Sequence, residues 1–214
     1  MPDAQGKIRY AVVGGGWISQ GAFMPGVGQT DNSVITALVT GDPIKADKLA
    51  ELYNIKSYRY EEFPALLASG EIDAIYLATP NFRHREFAEP ALDAGIHVLL
   101  EKPMATSEED CKAITAAAER SGAKLMIAYR LHFEPGTVEM IHRIRAGDLG
   151  DPRLFTATFT QTVDPANHRM QSGYWAGPVT DMGPYPINAV RNLFDDEPLE
   201  VRAVAVQTLS LIHI

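Results

Sequence analysis

The sequence predicts an α/β protein built on a doubly wound parallel sheet. Short apolar runs such as "IRYAVV" and "IDAIYLA" alternate along the chain with segments whose apolar residues recur at helical spacing. A glycine cluster, "GGG", directly follows the first apolar run. Because parallel strands must be joined by crossovers, this alternation predicts helices on both faces of one sheet.

Each predicted element has its own signal. Strands are expected where β-branched and other apolar residues cluster, and helices where apolar residues lie three or four positions apart. The predicted strands lie within 8–16, 35–41, 72–80, 96–103 and 124–130, and the predicted helices within 46–55, 82–95 and 107–122. Gly95 and Gly122 stand at the ends of the last two helices, where glycine is a preferred residue.

The pattern changes after the fifth strand, near residues 133–136. The segment 153–163, "RLFTATFTQTV", alternates apolar and polar residues, as a half-exposed antiparallel strand does. We therefore predict a first domain over 1–132 and a second domain over 133–208.

Composition argues against several classes of protein. Lys and Arg total 19 against 27 Asp and Glu, which gives a formal net charge of −8 at pH 7. An acidic chain is poorly suited to nucleic acid or to an anionic membrane, and no apolar run is long enough to span a bilayer. The single cysteine, Cys111, suits a reducing compartment, so a cytoplasmic location is predicted. The six histidines lack metal-ligand spacing, and no metal is expected.

The first candidate site is the glycine turn "VVGGGWIS". Gly14 and Gly16 fit the first two positions of G-x-G-x-x-G, between a predicted strand and a predicted helix, and Ser19 takes the third. The first glycine permits a tight turn, and the second lets the backbone approach a pyrophosphate at the helix N-terminus. A glycine turn alone is weak evidence, but its β-α-β context predicts a dinucleotide site that includes Trp17 and Ile18.

The end of the second strand, "LVTGDPIK", bears on the choice of cofactor. Thr40 stands where NAD-binding sheets usually carry an acidic residue for the ribose 2′-hydroxyl. The hydroxyl of Thr40, the backbone of Gly41 and the ammonium of Lys45 suit a 2′-phosphate better, so NADP is favoured. Two alternatives stay open: Lys45 as a solvated helix charge, and Asp42 as a partner for NAD.

A charged pair ends another predicted strand. The stretch "VLLEKPMA" carries three apolar residues up to Glu101 and Lys102, and Pro103 then stops the strand. Ligands of doubly wound sheets bind outside the carboxyl ends of the strands. Lys102 is therefore predicted beside the nicotinamide, where its ammonium can polarise a substrate oxygen. An ion pair at a strand end is the alternative.

These motifs resemble those of the Gfo/Idh/MocA oxidoreductases, and within them the glucose–fructose oxidoreductase branch. The resemblance rests on "EKPMATSEEDC", on "TPNFRH" before it and on "LMIAYRLHFEP" after it, and it extends to about Thr208. It implies an N-terminal Rossmann domain and a second α/β domain whose large, mostly antiparallel sheet makes a homo-oligomer. It also implies hydride transfer between NAD(P) and a hydroxyl or carbonyl carbon of a sugar or polyol.

The resemblance implies roles for particular residues of the cofactor cleft. That cleft would be lined by Thr79, Pro80, Asn81, His84, Glu101 and Lys102, with Arg130 close by. For His84, a hydrogen bond at the start of a helix is an alternative role.

A second catalytic cluster is implied by "TDMGPYPINAV". Family members carry Asp-x-Gly-x-His or Asp-x-Gly-x-Tyr here, and this chain has Asp181, Gly183 and Tyr185. Tyr185 would transfer a proton with help from Asp181. Because residues four apart share a helical face, both side chains are expected to reach one substrate carbon. Arg169, in "NHRMQ", resembles a family arginine that lies near the substrate or the cofactor. A glycine triplet usually precedes the motif, and here it reads "AGP".

Two further expectations concern the whole chain. A dinucleotide-binding sensor without turnover, or an inactive fragment of such an enzyme, is the alternative function. The stretch "LSLIHI" can be interpreted as one more β-branched strand. It can also be back-translated to CTG TCT CTT ATA CAC ATC, which resembles a transposase adapter of sequencing libraries. We therefore predict that residues 209–214 are adapter read-through and that the second domain is incomplete.

Overall fold

The structure is a computed structural model that describes residues 6–170, 173, 176–204, 206–207 and 212–213. The chain divides into two compact units, Met1–Ala128 and Tyr129–Ile214. The limit that the sequence predicted for the first domain was residue 132.

The first unit is built on a six-stranded parallel sheet. Its strands are β1 (Ile8–Val13), β2 (Ser33–Val39), β3 (Lys56–Tyr58), β4 (Ala74–Leu77), β5 (His97–Leu100) and β6 (Leu125–Ile127). They lie in the order β3-β2-β1-β4-β5-β6, and every neighbouring pair is parallel. The predicted parallel sheet is confirmed. The order reverses between β1 and β4, which is where sheets of this kind bind ligands.

Helices connect these strands. They are α1 (Met24–Val27), α2 (Pro43–Tyr53), α3 (Phe63–Ala68), α4 (His84–Asp93) and α5 (Glu108–Ser121). The short α1 completes a helical segment over 17–27 whose middle, Ser19–Phe23, is π-helical. Strand β3 was not predicted, because its three residues are exposed or half-buried and form no apolar run.

The core of the first unit forms two clusters, and residues of the same strand alternate between them. In β1, Ala11 and Val13 belong to one cluster and Val12 to the other. In β4, Ile75 belongs to the first cluster and Tyr76 to the second, which also holds Met24 and Val27 of α1. Because successive side chains of a strand point to opposite faces, both faces of the sheet are covered.

The second unit contains short elements. They are α6 (Pro135–Arg145), α7 (Gly177–Asp181), α8 (Pro184–Phe194), and a two-stranded antiparallel pair of β7 (Val206–Gln207) with β8 (Ile212–His213). The strand predicted over 153–163 is wrong, since this stretch has no strand assignment. A strand needs a neighbour for its backbone groups, and no described segment of this unit pairs with it.

The predictions about the adapter segment and about a membrane span can be compared with the described residues. The predicted segment 209–214 lies outside them except for the backbone of Ile212 and His213 in β8. Within the described part of the chain, no helix is both long enough and apolar enough to cross a membrane.

Candidate nucleotide and substrate site

The glycine turn lies directly against the end of β4. Gly14 has φ +100, and its N–H donates a hydrogen bond to the carbonyl of Val39 at 2.9 Å. A Cβ at this position would lie 2.6 Å from the carbonyl oxygen of Ala78. A Cβ on Gly16 would meet nothing within 4 Å. The turn is thus closed against the sheet at the first glycine and open at the second, which is the arrangement a phosphate needs.

Ser19 holds this turn in place. Its side chain is fully buried, and its Oγ donates a hydrogen bond to the carbonyl of Gly14 at 2.6 Å. The serine therefore permits close packing of the helix and also bonds the turn directly. Trp17, by contrast, is 84% exposed, and Ile18 is half-buried. An exposed indole beside an open glycine can be covered by a ligand.

The end of β2 is packed by an aromatic ring. Thr40 is buried, its N–H donates to the carbonyl of Tyr58 at 3.0 Å, and its Oγ1 accepts the N–H of Asp42 at 3.3 Å. A Cβ on Gly41 would lie 2.9 Å from the ring of Tyr60. Gly41 is thus explained by the close approach of Tyr60, whether or not its N–H also meets a ligand.

Asp42 and Lys45 form one pair at the start of α2. The Asp42 carboxylate accepts hydrogen bonds from the backbone N–H groups of Ile44 at 3.0 Å and Lys45 at 3.1 Å. These bonds, led by that of Lys45, hold the pKa of Asp42 below its usual value. The Lys45 ammonium lies 3.1 Å from the same carboxylate, and the two side chains are 49% and 40% exposed. Asp42 therefore caps the helix, and Lys45 is a solvated, ion-paired cation beside the β2 end.

The end of β4 carries a buried hydroxyl. Thr79 is 7% exposed, and its Oγ1 has no hydrogen-bond partner among the residues that the structure describes. Pro80 and Asn81 follow it and are half-buried. Because buried polar atoms are nearly always hydrogen-bonded, an orphaned hydroxyl at the ligand edge of the sheet suits a polar ligand.

His84, the first residue of α4, lies between two loops. Its Nε2 faces the carbonyl of Thr79 at 3.1 Å, and its Nδ1 faces the carbonyls of Pro103 at 2.9 Å and Met104 at 3.2 Å. The side chain is 1% exposed, and burial lowers the pKa of its imidazole. His84 is therefore buried between the loop after β4 and the loop after β5 and does not itself line the cleft, where the resemblance placed it; its contacts fit the alternative role of a hydrogen bond at the start of a helix.

Lys102, just after the end of β5, follows Glu101, whose carboxylate accepts two hydrogen bonds. Tyr76 donates its Oη hydrogen to one oxygen of Glu101 at 2.6 Å, and the backbone N–H of Lys102 donates to the other oxygen at 3.2 Å. Burial, followed by the Glu101 charge, raises the pKa of Tyr76. The Lys102–Pro103 peptide is cis. Glu101 therefore shapes the backbone around Lys102.

Asp181 and Tyr185 do not share one helix, so the expected four-residue spacing on a single helical face is wrong. Asp181 is the last residue of α7, and Tyr185 is the second residue of α8. Two causes explain the break. Pro184 has no N–H to continue the hydrogen bonds of α7, and the N–H of Gly183 bonds the carbonyl of Pro178, five residues before it, at 3.1 Å.

The second unit still brings two of the predicted residues together. The Nε of Arg169 lies 3.0 Å from a carboxylate oxygen of Asp181, whose side chain is 13% exposed. Tyr185 stacks on Phe159 with ring centroids 6.1 Å apart. Arg130 is exposed and begins a 3-10 turn that ends at Phe133.

Tyr185 also lines a small cavity within the second unit. The cavity has a volume of about 40 Å³. The other lining residues come mainly from α6, α8 and the turn after β6: Tyr129, Leu131, His132, Thr137, Met140, Ile141, Asn188, Ala189, Asn192 and Leu193.

The sequence did not predict a role for Tyr76, a buried residue that contacts the Lys102 loop through Glu101. Tyr76 lies inside a buried strand, and its bond to Glu101 joins residues 25 apart. The one available signal was a phenol within an otherwise apolar run. Among the described residues, no group of three His, Cys, Asp or Glu side chains is arranged to hold a metal ion.

The parallel sheet, its strand order and the glycine turn define a Rossmann-type α/β protein. Two family descriptions match the chain: "Oxidoreductase family, NAD-binding Rossmann fold" over residues 8–129, and "GFO/IDH/MocA C-terminal domain" over residues 137–211. The chain belongs to the Gfo/Idh/MocA oxidoreductase family, so the predicted family is confirmed.

Its relatives and structural neighbours include sugar oxidoreductases. The chain is 34% identical over 203 residues to a D-xylose 1-dehydrogenase [NADP(+)] of Haloarcula marismortui, covering 91% of this chain and 56% of the relative. Crystal structures of an aldose-aldose oxidoreductase from Caulobacter crescentus with glycerol and of a 3-ketoreductase from Actinomadura kijaniata with NADP and TDP-benzene also match. The first has a TM-score of 0.81 at 37% identity and covers 90% of this chain and 59% of that one. The second has a TM-score of 0.79 at 29% identity, and the match covers 86% of this chain and 57% of that one. The chain thus spans somewhat more than half the length of these proteins.

Proposed function

We propose that this chain carries the nucleotide site and the catalytic lysine of an NAD(P)-dependent oxidoreductase that acts on a sugar or polyol. One observation carries the proposal. The Gly14 turn, the orphaned hydroxyl of Thr79 and the Lys102 loop follow β1, β4 and β5, which are adjacent strands of one parallel sheet. Their carboxyl ends therefore offer a phosphate site, a hydrogen-bonding site and a cation along a single edge.

The residues present fit a dinucleotide. The open side of Gly16 leaves room for a pyrophosphate, and the exposed Trp17 next to it offers an apolar surface. Thr79, Pro80 and Asn81 would line the neighbouring wall. The Oγ1 of Thr79 gains through this contact the hydrogen bond that it lacks among the described residues.

NADP is the preferred cofactor in this proposal, and NAD is the alternative. Asp42 caps α2 and bonds Lys45, so its carboxylate is already engaged where an NAD-binding protein would present one to the ribose. The exposed ion pair of Lys45 contributes little to stability and can exchange its carboxylate for a phosphate. The name of the Haloarcula relative also specifies NADP.

In the proposed chemistry, a bound nicotinamide cofactor would supply the acceptor or donor of the hydride that leaves or joins a substrate carbon. In the oxidising direction that carbon loses the hydride, and its hydroxyl oxygen loses a proton to form the carbonyl. The Lys102 ammonium hydrogen-bonds the oxygen and stabilises the negative charge that develops on it. In the reducing direction the Tyr185 hydroxyl gives its proton to that oxygen, and in the oxidising direction the phenolate takes the proton back, with the assistance of Asp181. Arg169, which is paired with Asp181, orients that carboxylate and contacts the substrate.

The remaining proposals concern the whole protein. A mostly antiparallel sheet in the second domain and a homo-oligomer built on it are supported by membership of the family. A cytoplasmic location is supported by the single cysteine, and the absence of a nucleic acid partner by the net charge of −8. Light scattering of the whole protein would measure its oligomeric state, and a monomer would contradict the proposal.

The function is tested by NADPH oxidation in the whole protein that contains this chain, against a panel of ketoses and aldoses. Turnover of at least one sugar is expected. Tyr185→Phe keeps the ring that stacks on Phe159 and should lower kcat by about 10²–10⁴, which is the usual contribution of a proton-transfer group. Nucleotide affinity should be unchanged.

Tyr129→Phe is the matched control, because Tyr129 lines the same cavity as Tyr185. Its kcat should stay within about twofold of wild type. Tight nucleotide binding without turnover of any sugar would instead favour the dinucleotide sensor. A near-normal kcat for Tyr185→Phe would move the proton-transfer role to Asp181.

A further inference from the structure

Two buried polar side chains contact the loop that carries Lys102, one on each side of the lysine. Tyr76 belongs to β4 and His84 begins α4, so both come from one strand–helix unit. They are 2% and 1% exposed. Neither side chain can therefore touch a ligand directly, and the contacts of both are made inside the protein.

Tyr76 acts on the residue before the lysine. Its ring stacks on Phe23 with centroids 3.8 Å apart and an interplanar angle of 7°, and Phe23 meets Tyr10 edge-on at 5.6 Å. A ring held in this way presents its hydroxyl in one direction. That hydroxyl bonds one oxygen of Glu101 at 2.6 Å, and the other oxygen accepts the backbone N–H of Lys102 at 3.2 Å.

His84 acts on the residues after the lysine. Its Nδ1 reaches the carbonyls of Pro103 and Met104, and its Nε2 reaches the carbonyl of Thr79. A neutral imidazole donates from one nitrogen only, and with its proton on Nδ1 the ring bonds the backbone that follows Lys102 while it lies against the loop after β4. With Tyr76, it restrains the main chain on both sides of the lysine.

We propose that Tyr76 and His84 are positioning residues for Lys102, acting through Glu101 and through Pro103 and Met104. This inference rests on the proposed role of Lys102 in hydride transfer. A lysine side chain has four flexible carbons, so its ammonium can be aimed only if its backbone is fixed. Misplacing a catalytic group by about 1 Å can cost about 10²-fold in rate.

The kinetic test compares single-atom changes. Tyr76→Phe removes one oxygen and keeps the ring stacked on Phe23, and it should lower kcat by about 10- to 100-fold. Tyr10→Phe is the matched control, because it removes a hydroxyl from the same aromatic group without touching Glu101. It should keep kcat within about twofold. The Kd for NADPH should change by less than about twofold in both variants, because neither hydroxyl faces the nucleotide.

A pair of substitutions at His84 separates positioning from packing. His84→Asn keeps an N–H donor near the Nδ1 position, so it should retain part of the kcat that His84→Leu loses. An equal loss in both variants would overturn the role of the hydrogen bonds to Pro103 and Met104.

The decisive experiment measures the effect of Tyr76→Phe in a protein that already carries Lys102→Ala. If Tyr76 acts only through Lys102, adding Tyr76→Phe to Lys102→Ala should change the residual kcat by less than about twofold. A further loss as large as in the wild-type background would show a general structural effect and overturn the proposal. So would a Tyr76→Phe variant with normal kcat.

A second measurement keeps this inference separate from the proposed function. Amide hydrogen exchange at Lys102, followed by NMR in the 214-residue chain, should be at least about tenfold faster in Tyr76→Phe and unchanged in Tyr10→Phe. Unchanged exchange in Tyr76→Phe would overturn the restraint itself. If exchange responds as expected and the wild-type protein turns over no sugar, the restraint stands and the proposed function fails.

Discussion

The two units of this chain differ in how their side chains are buried. In the first unit both faces of the parallel sheet are covered, and its core includes fully buried residues such as Val12, Leu77 and Leu100. Among the described residues of the second unit, none is buried, and Leu154 and Leu199 are almost fully exposed. The residues proposed to bind the nucleotide therefore belong to a unit with a packed core. Asp181 and Tyr185 belong to short helices of a unit in which no described residue is buried.

The sequences of the two units explain this difference. The strands of the first unit are continuous apolar runs such as "AVV" and "VLL", which are stable only when buried on both faces. The segment "RLFTATFTQTV" buries one face at most, so it needs a sheet neighbour and a covering layer before it can form a strand. The first pattern thus forms its own core, whereas the second depends on additional partners.

The largest effect is expected from Gly14→Ala, because this residue joins the turn to the sheet. A Cβ would lie 2.6 Å from the Ala78 carbonyl oxygen at a φ of +100, so the free energy of unfolding should fall by about 2–4 kcal/mol. Chemical denaturation of the 214-residue chain measures it. A loss below about 0.5 kcal/mol would show that the turn is not packed as described.

Gly16→Ala is the matched control in the same turn. A Cβ here meets nothing within 4 Å, so stability should change little. NADPH affinity should nevertheless fall by about tenfold or more, since the methyl group takes the space next to the phosphate. Loss of stability without loss of affinity would contradict the proposed phosphate site.

An acid-dependent effect is expected at the amino ends of β1 and β4. The guanidinium of Arg9 bonds both oxygens of Asp73 at 2.8 and 2.9 Å, and this pairing holds the pKa of Asp73 well below its usual range. Because the folded pKa is lowered, the stabilisation is complete above the unfolded pKa, near 3.9, and is lost as pH falls through the folded pKa.

Asp73→Asn should therefore cost about 2–3 kcal/mol at pH 7 and flatten the fall in stability below about pH 5. Denaturation curves between pH 7 and pH 3 measure both. Asp47→Asn, at an exposed position of α2, is the control and should change stability by less than about 0.5 kcal/mol. An Asp73→Asn variant with the acid dependence of wild type would contradict the assignment.

The smallest effect concerns cofactor choice. Lys45→Ala should weaken NADP binding by about ten- to a hundredfold, the usual worth of a charge-assisted phosphate contact, and leave NAD binding unchanged. Lys48→Ala, three residues further along the same exposed surface of α2, should leave the ratio of the two affinities unchanged. Equal affinities of the wild-type chain for NADP and NAD would contradict the preference itself.

The sequence predicted those features that depend on local pattern. Continuous apolar runs predicted the parallel strands, and the glycine turn was predicted because Gly14 and Gly16 follow the first strand directly. Contacts between distant residues could not be read in this way. Tyr76 reaches Glu101, and His84 reaches Pro103, only after the sheet has brought their strands together.

The errors have equally specific causes. The helix break between Asp181 and Tyr185 depends on the missing N–H of Pro184 and on the hydrogen bond of Gly183 to Pro178, neither of which a four-residue spacing takes into account. The strand predicted over 153–163 failed because alternation is a property of one segment, whereas a strand requires a second one.

The central claim is that nucleotide binding belongs to the unit with the packed core. Hydrogen–deuterium exchange of the 214-residue chain with and without NADPH tests it most directly. Without nucleotide, amides of β1, β4 and β5 should exchange several orders of magnitude more slowly than those of 151–163. With NADPH, additional protection should appear at 14–19, 79–81 and 101–104. Equal exchange in both units, or NADPH protection that leaves those three loops unchanged, would contradict the account.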